Sequence, residues 1–399
     1  MSEAAAVQLK VLTSLTAIAA ADWDACANPD SQIYNPFLRH AFLLALEESG
    51  SAVSETGWLG QHLVLEDADA KVQAVMPLYL KNHSQGEYIF DYGWADAFHR
   101  AGGNYYPKLL SAVPFTPAGG RRLLVRDGPN AAGYETSLLA GSLTLLDKLQ
   151  SSSLHFNFLP EESWDALGRQ GFLQRTDQQF HWMNDGYPSF DAFLEALASR
   201  KRKNLRKERA KAVENGIEVE WLTGDALTEE HWDAFFHFYM DTGHRKYGTP
   251  YLTRSFFSMI SASMPDDVLL IMAKRDGQYI AGALNFIGRD TLFGRNWGCI
   301  EDHPFLHFEL CYYQAIDFAI ERGLKRVEAG AQGTHKLARG YVPHRTYSAH
   351  YIAHEGLREA VGNYLESERQ YVDNDIAVLS NHTPFKKNQA EGQDNDQTG

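Results

Sequence analysis

Residues 304–346, PFLHFELCYYQAIDFAIERGLKRVEAGAQGTHKLARGYVPHRT, decide the fold. Phe308, Cys311, Tyr312, Ala315, Ile316, Ala319 and Ile320 recur at the spacing of one helical face, which predicts a helix over 307–322 packed on one side. Glu309 falls in its first turn, where the helix dipole favours a negative charge, and Gly323 is placed to stop it. LKRVEAGA then reads as a short strand, with Glu328 as a polar residue on a sheet edge or as a base. It runs into the glycine-flanked turn 330–333 and the polar cluster Thr334, His335, Lys336 and Arg339. A buried core rarely needs two glycines followed by His-Lys-x-x-Arg. The backbone N–H groups of such a turn can form an anion nest or oxyanion site, with His335 or Lys336 against substrate. The bland alternative is a turn that needs glycine for its dihedral angles alone. Glu309, His335, Lys336 and Arg339 are the candidate catalytic residues, Glu309 or His335 as proton acceptor for an attacking amine. His307 reads as a helix N-cap, and Gln332 and Trp297 as substrate contacts.

The chain has 399 residues, enough for two domains, and its 44% hydrophobic and 22% charged residues are globular composition. Its first residues lack the basic and apolar segments of a signal peptide. No apolar run approaches the ~20 residues of a membrane helix. Cys26, Cys299 and Cys311 form no CxxC pair, so neither a disulfide framework nor a metal site is expected. These features fit a cytoplasmic protein. A net charge of −14 opposes wholesale coating of nucleic acid but leaves room for a local basic patch.

An internal repeat organises the rest. VQAVMPLYLK and the hairpin DVLLIMAKRDGQYIAGALNFI align Ala74 with Ala281, and YIFDYGW, read as a long strand, aligns Trp94 with Trp297. LTLLDKLQSSSLHFNFL pairs with AIDFAIERGLKRVEAGA, and LGRQGFLQRT with LARGYVPHRT. Four elements in one order indicate duplication. Each half then reads as hairpin, strand, helix, strand, helix, strand, a mixed α/β order that suits the acetyltransferase-like (GNAT) fold. A dinucleotide fold would show GxGxxG after its first strand, which is missing. The expected domains are 1–187, with an aromatic and Pro-rich insertion near 97–130, and 188–387, beginning with a basic helix; 388–399 reads as a disordered tail.

That helix is capped by Ser189 and continues to Asn215-Gly216, with eight Lys or Arg between 200 and 211. Arg202, Lys203 and Arg206 are its candidate phosphate contacts, for tRNA, a nucleotide-linked precursor or coenzyme A. Aromatics are absent from the run, which argues against base stacking on it. The segment FDYGWADAFHRAGGNYYPK mixes aromatics with charges of both signs, as substrate clefts do; Asp91, Tyr92, Trp94, Tyr106 and Lys108 are its candidate substrate contacts. If the donor were acetyl-CoA, the nearest match to a pyrophosphate loop is 295–300, with Arg295 and Gly298 as donor contacts. Ile300 ends it with a side chain that crowds the backbone approach.

The stretches FDYGWADAFHRAGGNYYPKLLSAVPFTPAGGRRLL, RKRKNLRKERAKAVENGI and LHFELCYYQAIDFAIERGLKRVEAGAQGTHKLARGYVPHRTYSAHYI resemble the bacterial FemAB-like proteins of peptidoglycan biosynthesis or recognition, over most of residues 30–385. The resemblance implies two tandem GNAT-like domains, in agreement with the repeat. It also implies a Fem-type transferase that moves an amino acid from aminoacyl-tRNA to an amine of a peptidoglycan precursor. Thr334 stands where that family often has an acidic residue, and no second helix accompanies the basic one to form a tRNA-holding arm. The expected donor is aminoacyl-tRNA or acetyl-CoA as co-substrate, with no firmly bound cofactor. A recognition protein without catalysis is the third reading.

Overall fold

The computed structural model describes residues 7–245, 248–330 and 333–386. Two sheets carry the chain. The larger has eleven strands, in the order Ile217–Leu222, Val268–Arg275, Gln278–Ile287, Thr291–Cys299, Arg326–Glu328, Leu173–Met183, Val342–Ile352, Ser153–Leu159, Lys108–Ser111, Tyr79–Lys81 and Trp58–Gly60. The smaller orders Gln8–Leu12, His62–Glu66, Val72–Met76 and Leu124–Val125.

Each half follows the GNAT order. In the second, Ile217–Leu222 leads to helices Glu229–Arg245 and Arg254–Ser263, an antiparallel hairpin, Thr291–Cys299, the helix ending at Glu321, Arg326–Glu328 and Val342–Ile352. In the first, Gln8–Leu12 leads to Ala20–Ala27 and His40–Glu48, a hairpin, Lys108–Ser111, helix Ala131–Lys148, Ser153–Leu159 and Leu173–Met183. Both halves pair their two central strands in parallel over three residues: 109–111 with 154–156, and 291–293 with 326–328. Their pairing stops there, while Thr291–Cys299 runs on past it.

The last strand of each half reaches the other. Leu173–Met183 lies between Arg326–Glu328 and Val342–Ile352, and Val342–Ile352 in turn pairs with Ser153–Leu159. The seam expected after 187 therefore follows a strand already inserted into the second half's sheet. An aromatic core joins the halves from above: Phe37 lies 5.1 Å from Phe42, Phe286 and Phe293, ring centre to ring centre. At its rim Asp267 accepts from Tyr34 Oη at 2.6 Å and from Arg39 Nη1 at 2.8 Å. Aromatic burial of this kind across a seam opposes relative motion of the two units.

Four local expectations change. YIFDYGW is not a strand: after Asp91 the chain forms helix Tyr92–Arg100, which buries Trp94 and part-buries Phe98 four residues on. The basic helix is two helices, Phe190–Ala196 and Ser199–Ala212, because Leu197 bridges to Phe385 and the Ala198 N–H turns to the Pro384 carbonyl. Ser189 does cap the first, accepting from the Ala192 N–H at 3.1 Å. His307 is no N-cap but sits inside the first turn, Leu306–Phe308, after Phe305 at φ 67°. Glu328 lies on an interior strand, not an edge. The helix read over 307–322 is present, with a π-turn at Glu309–Tyr313 before Gln314–Glu321 and a left-handed Gly323 (φ 65°) after it. Among the described residues no helix is long and apolar enough to cross a membrane.

Candidate functional site

Period-two alternation aims side chains of neighbouring strands at one face. Glu328 pairs with Phe293 on one side and His181 on the other; Arg326 pairs with Thr291, and His344 with Gln179. All seven side chains floor a cavity of about 400 Å³. Its roof comes from the first half, from Tyr34 and Asn35, Gly119 to Arg121, and Phe158 to Glu162. The cavity is thus a cleft between the two repeats, as ligand sites at domain interfaces usually are.

The cleft floor is electrostatically unusual. Glu328 is 5% exposed, and burial pushes its carboxyl up to about 7 against the pull of Arg326 and Arg295. Arg326 Nε stands 3.3 Å from Glu328 Oε1 and donates to Thr291 Oγ1 at 2.8 Å. His181 is held well below the ordinary histidine value by burial, then by His344, Arg326 and Lys336, and its ring stacks 4.3 Å from that of His344. Its Nδ1 is buried with no hydrogen-bond partner in the structure. A carboxyl that titrates near neutrality beside neutral imidazoles and an unsatisfied ring nitrogen is equipped for proton transfer.

Beyond Glu328 the chain turns at Gly330 (φ 77°) and returns through the 3₁₀ turn Thr334–Arg339. Gln332 lies outside the described residues. Lys336 is 2% exposed and donates to the Gly330 carbonyl at 2.9 Å, closing the turn, and burial lowers its ammonium to about 8. Arg339 donates to the His335 carbonyl at 2.8 Å and to Glu208 at 2.9 Å, with its guanidinium 3.4 Å above the Phe308 ring. His335 is exposed, and its Nε2 shares a 2.8 Å hydrogen bond with Tyr312 Oη. Burial, Arg339 and Lys336 lower its pKa, so it is neutral at physiological pH. Lys336 is thus buried behind the cleft, close enough for its charge to act on His181, while His335 packs among the rings of Tyr312, Phe308 and His307, the last 5.1 Å from Trp297.

Several expected contacts are placed elsewhere. Glu309 is 2% exposed and clamped by Arg209 at 2.7 Å and by Gln314 Nε2 at 2.8 Å; it anchors the basic helix and is not available as a base. Arg295 and Gly298 lie within strand Thr291–Cys299, not in a loop before a helix. Arg295 donates to the Phe115 carbonyl at 2.8 Å, across the seam. A Cβ on Gly298 would stand 2.3 Å from the Phe238 carbonyl carbon, so packing fills the face a pyrophosphate would need. Gly298→Ala is accordingly expected to destabilise the fold by about 2 kcal/mol or more, read as a lowered urea midpoint. Asp91 and Lys108 are sealed against each other and Glu87, and Trp94 packs edge-on to His350 at 5.0 Å. Tyr92 and Tyr106 remain at the surface of the first half. On the basic helix Arg202 pairs with Glu195 and Arg206 with Asp191; Arg202 is half-buried, while Lys203 and Arg206 are exposed.

Sequence reasoning passed over Gln179, His181, Arg326 and His344. Their one signal was alternation, Gln179 and His181 between Phe180 and Trp182, the mark of a strand with a polar face where both faces are covered.

Comparison with known proteins agrees with the geometry. No curated protein sequence matches the chain. Among solved structures, FemX is similar at a TM-score of 0.55 and 14% identity, covering 86% of this chain and 98% of its own. The C-terminal domain of a putative lysylphosphatidylglycerol synthetase from Agrobacterium fabrum is similar at 0.52 and 10%, covering 87% and 96%. A conserved protein of unknown function from Bacteroides thetaiotaomicron is similar at 0.52 and 12%, covering 86% and 99%. These likenesses establish the fold. The model of the FemAB-like family, described as peptidoglycan biosynthesis/recognition, matches residues 14–387, and the chain belongs to that family.

Proposed function

We propose that the chain transfers an aminoacyl group from an ester donor to an amine of a peptidoglycan precursor, in the cleft above Glu328. The observation that carries this reading is one buried carboxyl, near pKa 7, on the floor between the repeats. In the reaction the acceptor nitrogen attacks the ester carbonyl carbon, the C–N bond forms and the ester C–O bond breaks. Glu328 takes the proton the nitrogen loses and returns it to the departing hydroxyl oxygen. Lys336, buried with its Nζ on the Gly330 carbonyl and its charge felt at His181, adds positive potential behind the cleft for the developing oxyanion. The family match and the two-repeat cleft support the transferase class. An acetyl-CoA donor is disfavoured because Gly298 and Arg295 are committed to packing.

The test supplies the purified chain with a UDP-linked muramyl pentapeptide and either tRNA charged with a labelled amino acid or labelled acetyl-CoA. Label passing from tRNA to the precursor is the expected result. Label from acetyl-CoA instead would reassign the donor. Tight precursor binding with no transfer from either would make the chain a recognition protein.

A further inference from the structure

The first half carries a second concavity, separate from the Glu328 cleft. Helix Tyr92–Arg100 and the segment after it border an open concavity of about 660 Å³, lined by Tyr92, Asp96, His99, Asn104, Tyr105 and Tyr106. That is the size of a small-ligand pocket, about 300–1,000 Å³. Its walls are fixed from behind. Tyr105 donates to Asp91 at 2.7 Å, and Tyr106 shares a 2.8 Å hydrogen bond with Ser84, which accepts from the fully buried Lys108 at 2.7 Å. Gly103 lets the Phe98 ring close on the backbone, where a Cβ would meet it at 2.4 Å. The front is open: Tyr92 is 48% and Phe90 54% exposed, their rings stacked 6.3 Å apart at 26°. The Phe90 carbonyl accepts from Arg175 at 2.9 Å, which holds that ring in place.

Large aromatic rings left in water beside a preformed pocket need an apolar, flat partner. The lining adds a carboxylate, an imidazole and an amide, which bind hydroxyl and acetamido groups, and it contains no lysine or arginine. Phosphate is therefore a poor fit, and a neutral polyol with one C–H face is a good one. We infer that this pocket is a saccharide subsite, taking an N-acetylated pyranose with its C–H face on Tyr92 and its substituents on Asn104, His99 and Asp96. It rests on the peptidoglycan reading above and specifies which part of the acceptor the first half holds.

The test titrates the full chain with N,N′-diacetylchitobiose, followed by NMR or calorimetry, against Tyr92→Ala, Asn104→Ala and Glu328→Gln. Saturable binding, weakened about tenfold or more by Tyr92→Ala and by Asn104→Ala but unchanged by Glu328→Gln, is expected. Tyr92 and Asn104 lie at the surface, so both variants should fold, checked by circular dichroism. Absence of saturation, or binding indifferent to Tyr92, overturns the subsite. Uridine binding as tightly as the disaccharide also overturns it, since the pocket would then be a base platform. Chitobiose binding without aminoacyl transfer would leave the subsite standing while removing the transferase reading; transfer without chitobiose binding would do the reverse.

Discussion

Glu328→Gln is expected to lower transfer by about 10²–10⁴-fold, the usual worth of a positioned proton acceptor. The change keeps the shape of the side chain and removes its capacity to accept a proton. The wild-type rate should rise with pH through about 7, where the carboxyl ionises, and the variant's residual rate should lack that limb. Stability should move the opposite way. The folded pKa of Glu328 lies above the ordinary 4.5, so its stabilising contribution is full below that value and is lost as pH rises through about 7. Above pH 7 the buried carboxylate costs roughly 3 kcal/mol, from 1.36 kcal/mol per pKa unit. Glutamine carries no such charge, so the variant should have a higher urea midpoint at pH 8 and a nearly unchanged one at pH 4. A rate equal to wild type would remove Glu328 from the chemistry. Lost rate with an unmoved pH 8 midpoint would mean that its carboxyl is not perturbed, and that the loss has another source.

The contrast between Glu328 and Glu309 shows where the sequence stops being informative. Both are carboxylates in the same stretch of about twenty residues, and both suit a base. What separates them is a partner one hundred positions upstream, Arg209, which saturates Glu309 and leaves Glu328 to the cleft. Local pattern carries no record of that pairing. Local pattern did carry the helix over 307–322 and its stop, because the apolar stripe and a left-handed glycine are determined within the segment. The same logic misread 88–94. Tyr88, Phe90, Tyr92 and Trp94 alternate as a strand would, but only Trp94 and Phe98 turn inward together, and their four-residue spacing is the helical one. The exchange of Leu173–Met183 and Val342–Ile352 between halves was likewise beyond the sequence. A strand's composition shows that both its faces are covered, not which neighbour lies beside it. His181 and His344 came to the cleft through that register, and so were missed.

Lys108→Met is expected to destabilise the fold by about 3–5 kcal/mol, the cost of removing one partner from a buried ion pair. Lys108 is fully buried, with its Nζ 2.5 Å from Asp91, 2.7 Å from Glu87 and 2.7 Å from Ser84. Burial alone would raise the Asp91 carboxyl, yet the ammonium outweighs it and holds Asp91 well below the usual range. Glu87 is instead raised to about 7 by burial, and Lys81, 4.0 Å away above the Trp58 ring, is lowered to about 7. Methionine would fill the volume and leave two carboxyls beside a single weak cation. Glu87 can take a proton at modest cost, so the loss should fall chiefly on Asp91. Adding Asp91→Asn to Lys108→Met should therefore recover a large part of the urea midpoint, whereas adding Glu87→Gln should recover less. Equal recovery by both would mean that the cluster shares its charge evenly, and that Asp91 is not the group the lysine chiefly holds. The network also fixes Tyr105 and Tyr106, so the single variant should weaken disaccharide binding even at temperatures where the chain stays folded.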